Sequence, residues 1–470
     1  MILGCETIWE LLDARAAATP DHPMLLVDGA PPVTFGEFRA RTEAVARVLV
    51  ARGVEPGAPV VWQLPTSVDA VVTWAALARI GAQQVPLIAQ LGPREVAFVV
   101  QHTGAVHVLL EPPVGDAPDV ALPPPSSHGD AERFGYFTSG TTADPKGVRH
   151  TDRTLIAGGE AMADSLAMTA ADVGSIAFPF AHIAGPDYVL AMLVVGCPAV
   201  LLPRFDAAAA VDGYRRLGVT MAGGSTAFYQ AFLGVQRQQP GEPILPSLRL
   251  LSGGGAPLPP AVWYAARDEM GVRILHGYAL TECPMAVMNR GEFTDDELAT
   301  TSGVPVRGVE LRLADDGEIQ LRGEVVCKGY TDPALDAAAW DPDGRWFRTG
   351  DLGSLVDGRL VVTGRKKDII IRKGENISAI EVENLVATHP SVAAAAVVGL
   401  PDDDRGELVC ACVELVPGAA LDLATLIAHL RAMQVMTQKL PERLEVFAAL
   451  PRGGTLGKVL KTELRQRLQR

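Results

Sequence analysis

The sequence predicts an α/β fold with a large N-terminal layered αβ domain of mainly parallel sheets and a small C-terminal α+β domain. The chain of 470 residues is too long for one hydrophobic core. Helical periodicity at 8–12 and 38–49 alternates with the apolar runs Pro59–Trp62 and Val106–Leu110, which are typical of buried strands. Helices that alternate with apolar strands favour layered sheets with parallel pairing.

A change of pattern near residue 367 predicts the boundary between the two domains, 1–366 and 367–470. The strand-like run 359–363 ends there in a turn of glycine, arginine and lysine. After this turn the pattern predicts a strand, a helix at 378–389, two strands at 392–398 and 409–416, and a second helix at 423–433. Within the first domain, residues 112–130 are rich in Pro, Asp, Gly and Ser and predict a surface loop.

The composition is that of an ordinary globular protein, with 48% hydrophobic and 20% charged residues. A net charge of −14 argues against a nucleic-acid or anionic-membrane partner. The six cysteines form no CxxC or Cys/His cluster, so neither a zinc site nor a disulfide framework is indicated. The first charges are acidic, and the longest apolar run, Tyr188–Leu202, is interrupted by Gly196 and Pro198. We therefore expect a cytoplasmic protein without membrane insertion.

The run 136–148, Tyr-Phe-Thr-Ser-Gly-Thr-Thr-Ala-Asp-Pro-Lys-Gly-Val, predicts a phosphate-binding loop. Glycine lets the backbone approach an oxyanion, amides and hydroxyls donate hydrogen bonds, and a lysine adds positive charge. The spacing resembles a Walker loop, but Pro145 and Gly147 replace its second glycine and its Mg²⁺-binding hydroxyl, so a P-loop NTPase is excluded. The candidate phosphate ligands are Thr138, Ser139, Gly140, Thr141, Thr142 and Lys146.

Further short motifs follow in a fixed order along the chain. They lie at 34–38, 77–86, 179–185, 252–257, 277–282, 317–330, 346–352, 364–368, 374–383 and 456–458. Together with the loop at 136–148 they resemble the acyl-adenylating enzymes, the superfamily of acyl-CoA synthetases, peptide-synthetase adenylation domains and luciferases. The resemblance extends from about residue 10 to about residue 465.

The resemblance implies a two-step reaction that uses ATP, Mg²⁺ and a thiol. A carboxylic acid is first activated as a mixed anhydride with AMP, and negative charge that builds on the phosphorus oxygens is met by cations and fixed donors. It also implies that the C-terminal domain is a mobile lid that rotates about a hinge at Lys367.

The resemblance further implies a role for individual residues. Lys458 is the catalytic lysine that bridges carboxylate and phosphate, Thr281 binds the α-phosphate, Glu282 holds Mg²⁺, and His182 lies beside the substrate carboxylate. The remaining nucleotide and acceptor positions are Gly253, Gly254, Gly255, Ala256, Pro257, Gly277, Tyr278 and Ala279 for adenine, Asp351 and Arg365 for ribose, Lys367 at the hinge, and Gly374 at the pantetheine tunnel.

The acid is expected to lack an α-amine. Adenylation domains for amino acids place an aspartate at the position of Ile183, and a buried ammonium without that partner costs several kcal/mol. The residues that line the pocket by analogy are almost all small, namely His182, Ala184, Gly185, Gly223, Gly224, Ser225, Gly253 and Gly254. They leave room for a medium-chain, alicyclic or aromatic acid.

The acceptor is left open between two thiols. An acyl-CoA ligase is favoured, because the loop from Gly374 resembles the one that lines the pantetheine tunnel of CoA ligases. The alternative is a stand-alone adenylating enzyme that loads a carrier-protein pantetheine. A third interpretation is a degenerate nucleotide-binding protein, since Ala143 and Lys373 replace glycines that are usual in the family. A homodimer is a further expectation.

Overall fold

The computed structural model describes residues 1–138, 145–372, 375–402, 405–453 and 458–469. The α-helices are α1 (Ile8–Ala18), α2 (Phe35–Ala51), α3 (Val68–Ile80), α4 (Pro93–Thr103), α5 (Asp152–Ser165), α6 (Ala184–Val195), α7 (Ala207–Leu217), α8 (Thr226–Gln238), α9 (Pro260–Met270), α10 (Asp295–Thr300), α11 (Asp336–Ala339), α12 (Ala379–Val386), α13 (Leu423–Ala432) and α14 (Lys461–Leu468).

The strands up to residue 288 are β1 (Pro23–Leu26), β2 (Val33–Thr34), β3 (Pro59–Trp62), β4 (Gln83–Pro86), β5 (His107–Leu109), β6 (Glu132–Thr138), β7 (Lys146–Thr151), β8 (Gly174–Ile176), β9 (Ala199–Leu201), β10 (Met221–Gly224), β11 (Leu250–Gly253), β12 (Arg273–Leu280) and β13 (Cys283–Met288). Those that follow are β14 (Val304–Pro305), β15 (Val309–Leu313), β16 (Glu318–Gly323), β17 (Phe347–Val356), β18 (Arg359–Arg365), β19 (Ile369–Arg372), β20 (Glu375–Ser378), β21 (Val392–Asp402), β22 (Gly406–Leu415), β23 (Arg443–Val446), β24 (Arg452–Gly453) and β25 (Lys458–Val459).

Three mixed sheets with parallel pairs at their centres form the layers of the N-terminal part. Their strand orders are β2-β1-β9-β8, β5-β3-β4-β6-β7 and β10-β11-β12-β13-β14. Antiparallel strands close one end of each sheet, for example β7 against β6 and β13 against β12. The predicted α/β fold class is confirmed. Parallel pairs lie at the centres of these three sheets, and antiparallel pairs lie at one end of each.

Two sheets near the C-terminal end are largely antiparallel. β15 to β18 form a meander, and β20-β19-β22-β21 form the sheet that follows it, with β23 parallel to β22. The strands predicted at 392–398 and 409–416 are parts of β21 and β22, and the run predicted at 359–363 is part of β18, whereas β15, β16 and β17 were not predicted.

Buried apolar residues separate into distinct clusters on either side of residue 367. One large cluster extends from Ile8 to Leu360. Two further clusters, made only of residues from Ile370 onward, cover opposite faces of β21 and β22, where Val397 and Val398 point to different sides. Helices α12 and α13 pack on one face and α14 on the other. This C-terminal part therefore has its own two-sided core.

Local capping explains where the first helices begin. The hydroxyl of Thr7 accepts a hydrogen bond from the Glu10 N–H at 3.2 Å at the start of α1. Thr34 and Glu37 form a reciprocal capping box at the start of α2. The predicted helices at 8–12 and 38–49 are therefore longer in the structure than the apolar pattern alone indicated.

The strand predicted at 106–110 forms at His107–Leu109, but the expectation that it is buried is wrong. β5 is the edge strand of its sheet, and 80% of Val106 is exposed. An edge strand pairs with a neighbouring strand on one side only, so an apolar run does not by itself establish that the strand is buried. Residues 112–130 contain no helix or strand, as predicted for a loop.

The longest apolar run divides between α6 and β9. Among the described residues, no helix is long and apolar enough to cross a membrane. α6 packs closely on α5, where a Cβ atom at Gly159 would lie 2.6 Å from the Leu190 Cβ atom.

Asp187 of α6 is a fully buried carboxylate in this helix packing. It faces Gly158 of α5, and neither of its oxygens has a hydrogen-bond partner within the described part of the chain. Burial raises the pKa of Asp187 from an ordinary 3.8 to about 8, because the charged form loses its hydration. Asp187 is therefore protonated in the folded protein at neutral pH.

We predict that Asp187→Asn stabilises the protein more at about pH 8 than at about pH 5. The folded state retains the Asp187 proton up to about pH 8, whereas the unfolded chain loses it near pH 4. The contribution of Asp187 to the free energy of unfolding therefore falls as pH rises through this window, by at most about 1.4 kcal/mol per pH unit. Denaturant midpoints of both proteins across this range measure the difference.

The difference between the two proteins isolates Asp187 from the buried histidines. His150, His182 and His276 have pKa values lowered to about 4 by burial, and their contribution to stability has the opposite pH dependence. A stability difference that stays constant with pH would contradict the assignment.

Candidate active site

The predicted phosphate-binding loop connects two paired strands. β6 ends at Thr138 and β7 begins at Lys146, and these two residues are antiparallel partners. Lys146 is exposed, and its Nζ atom lies 5.9 Å from the centre of the Tyr330 ring. The other predicted loop ligands, Ser139, Gly140, Thr141 and Thr142, lie outside the described residues.

The segment 327–331 lies alongside β7 and joins it to Glu282. The N–H of Lys328 donates to the Arg149 carbonyl at 2.8 Å, and the N–H of Thr331 donates to the Gly147 carbonyl at 2.7 Å. On its other side, the Cys327 N–H donates to the Glu282 carbonyl at 2.8 Å. We call this segment the connecting segment, because it bonds to both elements.

Tyr330 of the connecting segment contacts both charged groups of the predicted phosphate side. Its hydroxyl donates a hydrogen bond of 2.7 Å to Oε1 of Glu282, and its ring faces Lys146. Burial, and next the charge of Glu282, raise the pKa of Tyr330 well above its ordinary value. The hydroxyl therefore keeps its proton and remains the donor.

Thr281 and Glu282 form the tip of the hairpin between β12 and β13. Nε2 of His150 lies 2.8 Å from the Thr281 carbonyl oxygen, and Nδ1 lies 3.0 Å from the Thr154 hydroxyl. Burial lowers the pKa of His150 to about 4, so the ring is neutral near pH 7. Because a carbonyl only accepts, Nε2 carries the proton. His150 and the connecting segment thus hold the two residues of this tip.

Glycine backbones form the carboxyl edge of the parallel strands β10, β11 and β12. A Cβ atom at Gly253 would overlap the Gly224 carbonyl, and one at Gly277 would lie 2.6 Å from the Val287 carbonyl oxygen. A Cβ atom at Gly254 would lie 2.8 Å from the Gly277 carbonyl oxygen. Only glycine fits these positions, and ligands of open α/β sheets bind at this edge.

The loop after β11 is fixed by two hydrogen bonds to its carbonyl groups. Nε2 of His276 lies 2.8 Å from the Ala256 carbonyl oxygen, and the Thr226 hydroxyl donates to the Pro257 carbonyl at 2.7 Å. The predicted adenine-side residues Gly253 to Pro257 therefore lie together, beside the Gly277 to Ala279 part of β12.

Asp351 of β17 lies between two other predicted nucleotide residues. Its Oδ2 accepts a 2.7 Å hydrogen bond from the Tyr278 hydroxyl, and its Oδ1 lies 2.7 Å from Nε of Arg365. Asp351 is only 4% exposed, and burial, followed by the Asp351 charge, raises the pKa of Tyr278 well above its ordinary value. The structure therefore brings the predicted adenine and ribose residues into direct contact.

Glu318 positions the turn that follows the ribose-side strands. Its buried carboxylate accepts from the Gly350 N–H at 3.1 Å and from Nζ of Lys366 at 2.8 Å. Lys367 is the next residue. Burial, and then the repulsion of Arg365, lower the pKa of Lys367, and Lys146 also contributes to the repulsion. Lys367 therefore lies within electrostatic range of Arg365, a predicted ribose residue, and of Lys146, a predicted phosphate ligand.

His182 lies on the turn that leads into α6. Its Nδ1 accepts from the Ala184 N–H at 3.3 Å, and burial lowers its pKa to about 4. A Cβ atom at Gly185 would overlap the Phe180 carbonyl group, which explains the glycine in this tight turn. His182 is therefore neutral, with its proton on Nε2.

Two further predicted residues, besides the four of the loop, are not placed in the site. Lys458 pairs through its backbone with Gly453 in the hairpin of β24 and β25, but its side chain lies outside what the structure describes. Gly374 lies outside the described residues.

Sequence reasoning missed His150, Glu318 and Tyr330 as parts of the site. Glu318 and Tyr330 lie within a recognised motif but received no role. His150 follows Lys146 on the same face of β7 by the two-residue period of a strand, and it is a polar residue in a buried position. That pattern is the signal that could have identified it.

Sequence models of known families match both parts of the chain. The AMP-binding enzyme family matches residues 12–133 and 113–331, and the AMP-binding enzyme C-terminal domain matches residues 381–456. Among characterised proteins, the chain is 32% identical to the medium-chain fatty-acid–CoA ligase of Escherichia coli (strain K12), over 99% of this chain and 91% of the relative. It is 31% identical to a feruloyl-CoA synthase of Amycolatopsis sp, over 96% and 97%.

Solved structures share the whole fold. The o-succinylbenzoate CoA synthetase of Bacillus subtilis, in complex with its acyl-adenylate intermediate, superposes with a TM-score of 0.88 at 27% identity, covering 98% of this chain and 99% of that one. ATP-bound MatB of Rhodopseudomonas palustris superposes with a TM-score of 0.89 at 27% identity, covering 98% of both chains. With its matched motifs, its site geometry and these relatives, this chain belongs to the AMP-binding enzyme family.

Proposed function

We propose that this protein is an AMP-forming acyl-CoA ligase, which activates a carboxylic acid with ATP and Mg²⁺ and transfers the acyl group to CoA. The hairpin of β12 and β13 carries the proposal. It holds Tyr278 against Asp351 near the glycine edge and presents Glu282 at its tip beside Tyr330 and Lys146. One hairpin therefore carries both the tyrosine that contacts the ribose-side carboxylate and the carboxylate proposed to bind the metal. The CoA ligases and CoA synthetases among its relatives support the same activity.

On the nucleoside side, Asp351 binds the ribose hydroxyls. A carboxylate has about four acceptor positions, and Tyr278 and Arg365 each use one of them. Those two contacts fix the direction of the remaining positions, and the glycine edge at Gly253 and Gly254 leaves the close approach that a flat adenine ring needs.

On the phosphate side, a single carboxylate fits a magnesium ion. Within the described ranges, no group of three or more His, Cys, Asp or Glu residues could hold a metal. Mg²⁺ is usually bound through one or two carboxylates, substrate phosphates and water, so Glu282 with ATP is a sufficient donor set. Bound Mg²⁺ neutralises phosphate charge and orients the leaving group.

The proposed reaction has two steps. An oxygen of the substrate carboxylate attacks the α-phosphorus of ATP, and the bond to pyrophosphate breaks to leave acyl-AMP. The CoA thiol then attacks the acyl carbonyl carbon, and AMP departs. Thr281 donates to the α-phosphate, and Lys146 and the loop that precedes it bind the outer phosphates. Lys458 bridges the attacking carboxylate and the phosphate.

The acid is a plain carboxylic acid of medium-chain, alicyclic or aromatic type. Ile183 is buried beside His182 and offers no partner for an α-ammonium group, so an amino acid is disfavoured. Neutral His182 can donate from Nε2 to the carboxylate. Medium-chain, alicyclic and aromatic acids also appear in the names of the relatives.

In the second step the acyl group must meet the CoA thiol. We assign the rearrangement that this requires to a movement of residues 367–470. The separation of the buried clusters between Leu360 and Ile370 supports a hinge at Lys367 and a lid that moves as a body. The loop around Gly374 would then line the pantetheine tunnel. A homodimer and a cytoplasmic location stay predictions.

We predict that incubation with ATP, Mg²⁺, CoA and a panel of aliphatic, alicyclic and aromatic acids yields acyl-CoA, AMP and pyrophosphate. Mass spectrometry identifies the thioester and thereby the acid. Accumulation of acyl-AMP in the presence of CoA would instead favour a carrier-protein acceptor. Absence of either product from every acid would favour a degenerate nucleotide-binding protein.

Asp351→Asn is expected to weaken AMP binding by about 10- to 100-fold, since hydrogen bonds to a charged group contribute about 1.5–3 kcal/mol. Isothermal titration calorimetry with AMP measures the change. The matched control is Asp343→Asn, which removes the same charge from an exposed position. Equal AMP affinity in the two variants would remove Asp351 from the ribose site.

Lys458→Ala is expected to lower the rate of acyl-AMP formation by at least about 100-fold while ATP affinity stays within about twofold, because a cation that acts on the transition state contributes mainly to the rate. Single-turnover release of pyrophosphate measures the first quantity and calorimetry the second. Unchanged adenylation would exclude this lysine from the chemistry.

A further inference from the structure

We propose that Tyr330 is a positioning residue that orients Glu282 toward the magnesium ion of Mg·ATP and holds Lys146 in register with it. This inference rests on the proposed function, and it gives a role to a residue of the connecting segment that lies outside the reacting groups.

The first argument is the geometry at Glu282. The Tyr330 hydroxyl donates a hydrogen bond to Oε1 of Glu282 at 2.7 Å. With Oε1 engaged, the carboxylate has a fixed plane and presents Oε2 as the oxygen for a metal. Groups that hydrogen-bond to a metal ligand fix its orientation and are a large part of metal affinity.

The second argument is that Tyr330 itself is held firmly. The connecting segment pairs with β7 on both sides of it, and the Tyr330 N–H donates to Oδ1 of Asp336 at 2.9 Å. The Thr331 hydroxyl lies 2.9 Å from Nε2 of His102. These bonds fix the backbone at Tyr330 relative to β7. The Tyr330 side chain can therefore hold Glu282 at a defined position relative to β7.

The third argument is the cation above the ring. Nζ of Lys146 lies 5.9 Å from the ring centre of Tyr330, within the range of a cation–π contact. Lys146 begins β7, the same strand to which the connecting segment is bonded. Lys146 and Glu282 are therefore spaced by a single aromatic side chain.

Tyr330→Phe tests the hydroxyl alone, because the ring that faces Lys146 is retained. We expect the Mg²⁺ concentration that half-saturates ATP binding to rise about tenfold, in line with the loss of one hydrogen bond to a charged group. AMP binding, which needs no metal, should not change. Calorimetric titrations of ATP at several Mg²⁺ concentrations, and of AMP, measure both quantities without turnover.

Tyr278→Phe is the matched control, since it removes an equivalent hydroxyl from the carboxylate on the nucleoside side. In that variant AMP and Mg·ATP binding should weaken together, with no shift in the Mg²⁺ dependence. Excess Mg²⁺ or Mn²⁺ should restore ATP binding by Tyr330→Phe but not by Tyr278→Phe.

A double variant separates positioning from general disturbance of the site. If Tyr330 acts through Glu282, Tyr330→Phe adds no further shift of the Mg²⁺ midpoint in a Glu282→Gln background. An unchanged Mg²⁺ midpoint in Tyr330→Phe, or a parallel loss of AMP binding, would overturn the proposal. Failure of the unmodified protein to bind AMP or Mg·ATP would overturn the proposed function instead.

Discussion

The backbone pairing between β7 and the connecting segment is the constraint on which the site depends. Lys146 belongs to the sheet of β3 to β7, whereas Glu282 belongs to the sheet of β10 to β14. Side-chain packing alone between two layers would leave their relative position adjustable. Backbone hydrogen bonds from one short segment to both elements fix that position, because each bond is directional and has a narrow range of length.

The hairpin of β12 and β13 stands where three sheets meet. His150 reaches its tip from β7, the parallel neighbours of β12 bring the glycine edge, and Asp351 reaches Tyr278 from the meander of β15 to β18. The hydrogen bonds of His150 and Tyr278 lie in buried surroundings, where a polar group without a partner is costly.

The sequence predicted the members of the site better than the links between them. Asp351, Arg365, Tyr278 and Glu282 each stand in a short motif whose order is recognisable, and the structure brings them together. The hydrogen bond between Tyr278 and Asp351 joins residues 73 positions apart, and no local pattern indicates such a pairing. Tyr330 has a role only through tertiary contact, so its motif gave it none.

The fold shows the same division. Alternating apolar runs predicted β3 and the C-terminal helices, because periodicity reflects which face is covered. Periodicity cannot state where a strand lies in its sheet, so β5 was taken to be buried although it lies at an edge. Of the antiparallel meander, only β18 was predicted, from the run 359–363, while β16 and β17 overlap the motifs at 317–330 and 346–352, which were interpreted only as sites.

The hairpin also determines where the chain can change in length during evolution. Tyr278 lies on β12, and Glu282 lies four residues later at the tip of the same hairpin. Inserting a single residue between them would turn the following side chains to the other face of β13. Such an insertion would separate the sugar end of a nucleotide from its metal end. The loop at 112–130 holds no predicted site residue, so it can accept extra residues at little cost in free energy. Enzymes of this architecture should therefore differ in the lengths of their surface loops, while the length of the hairpin stays constant.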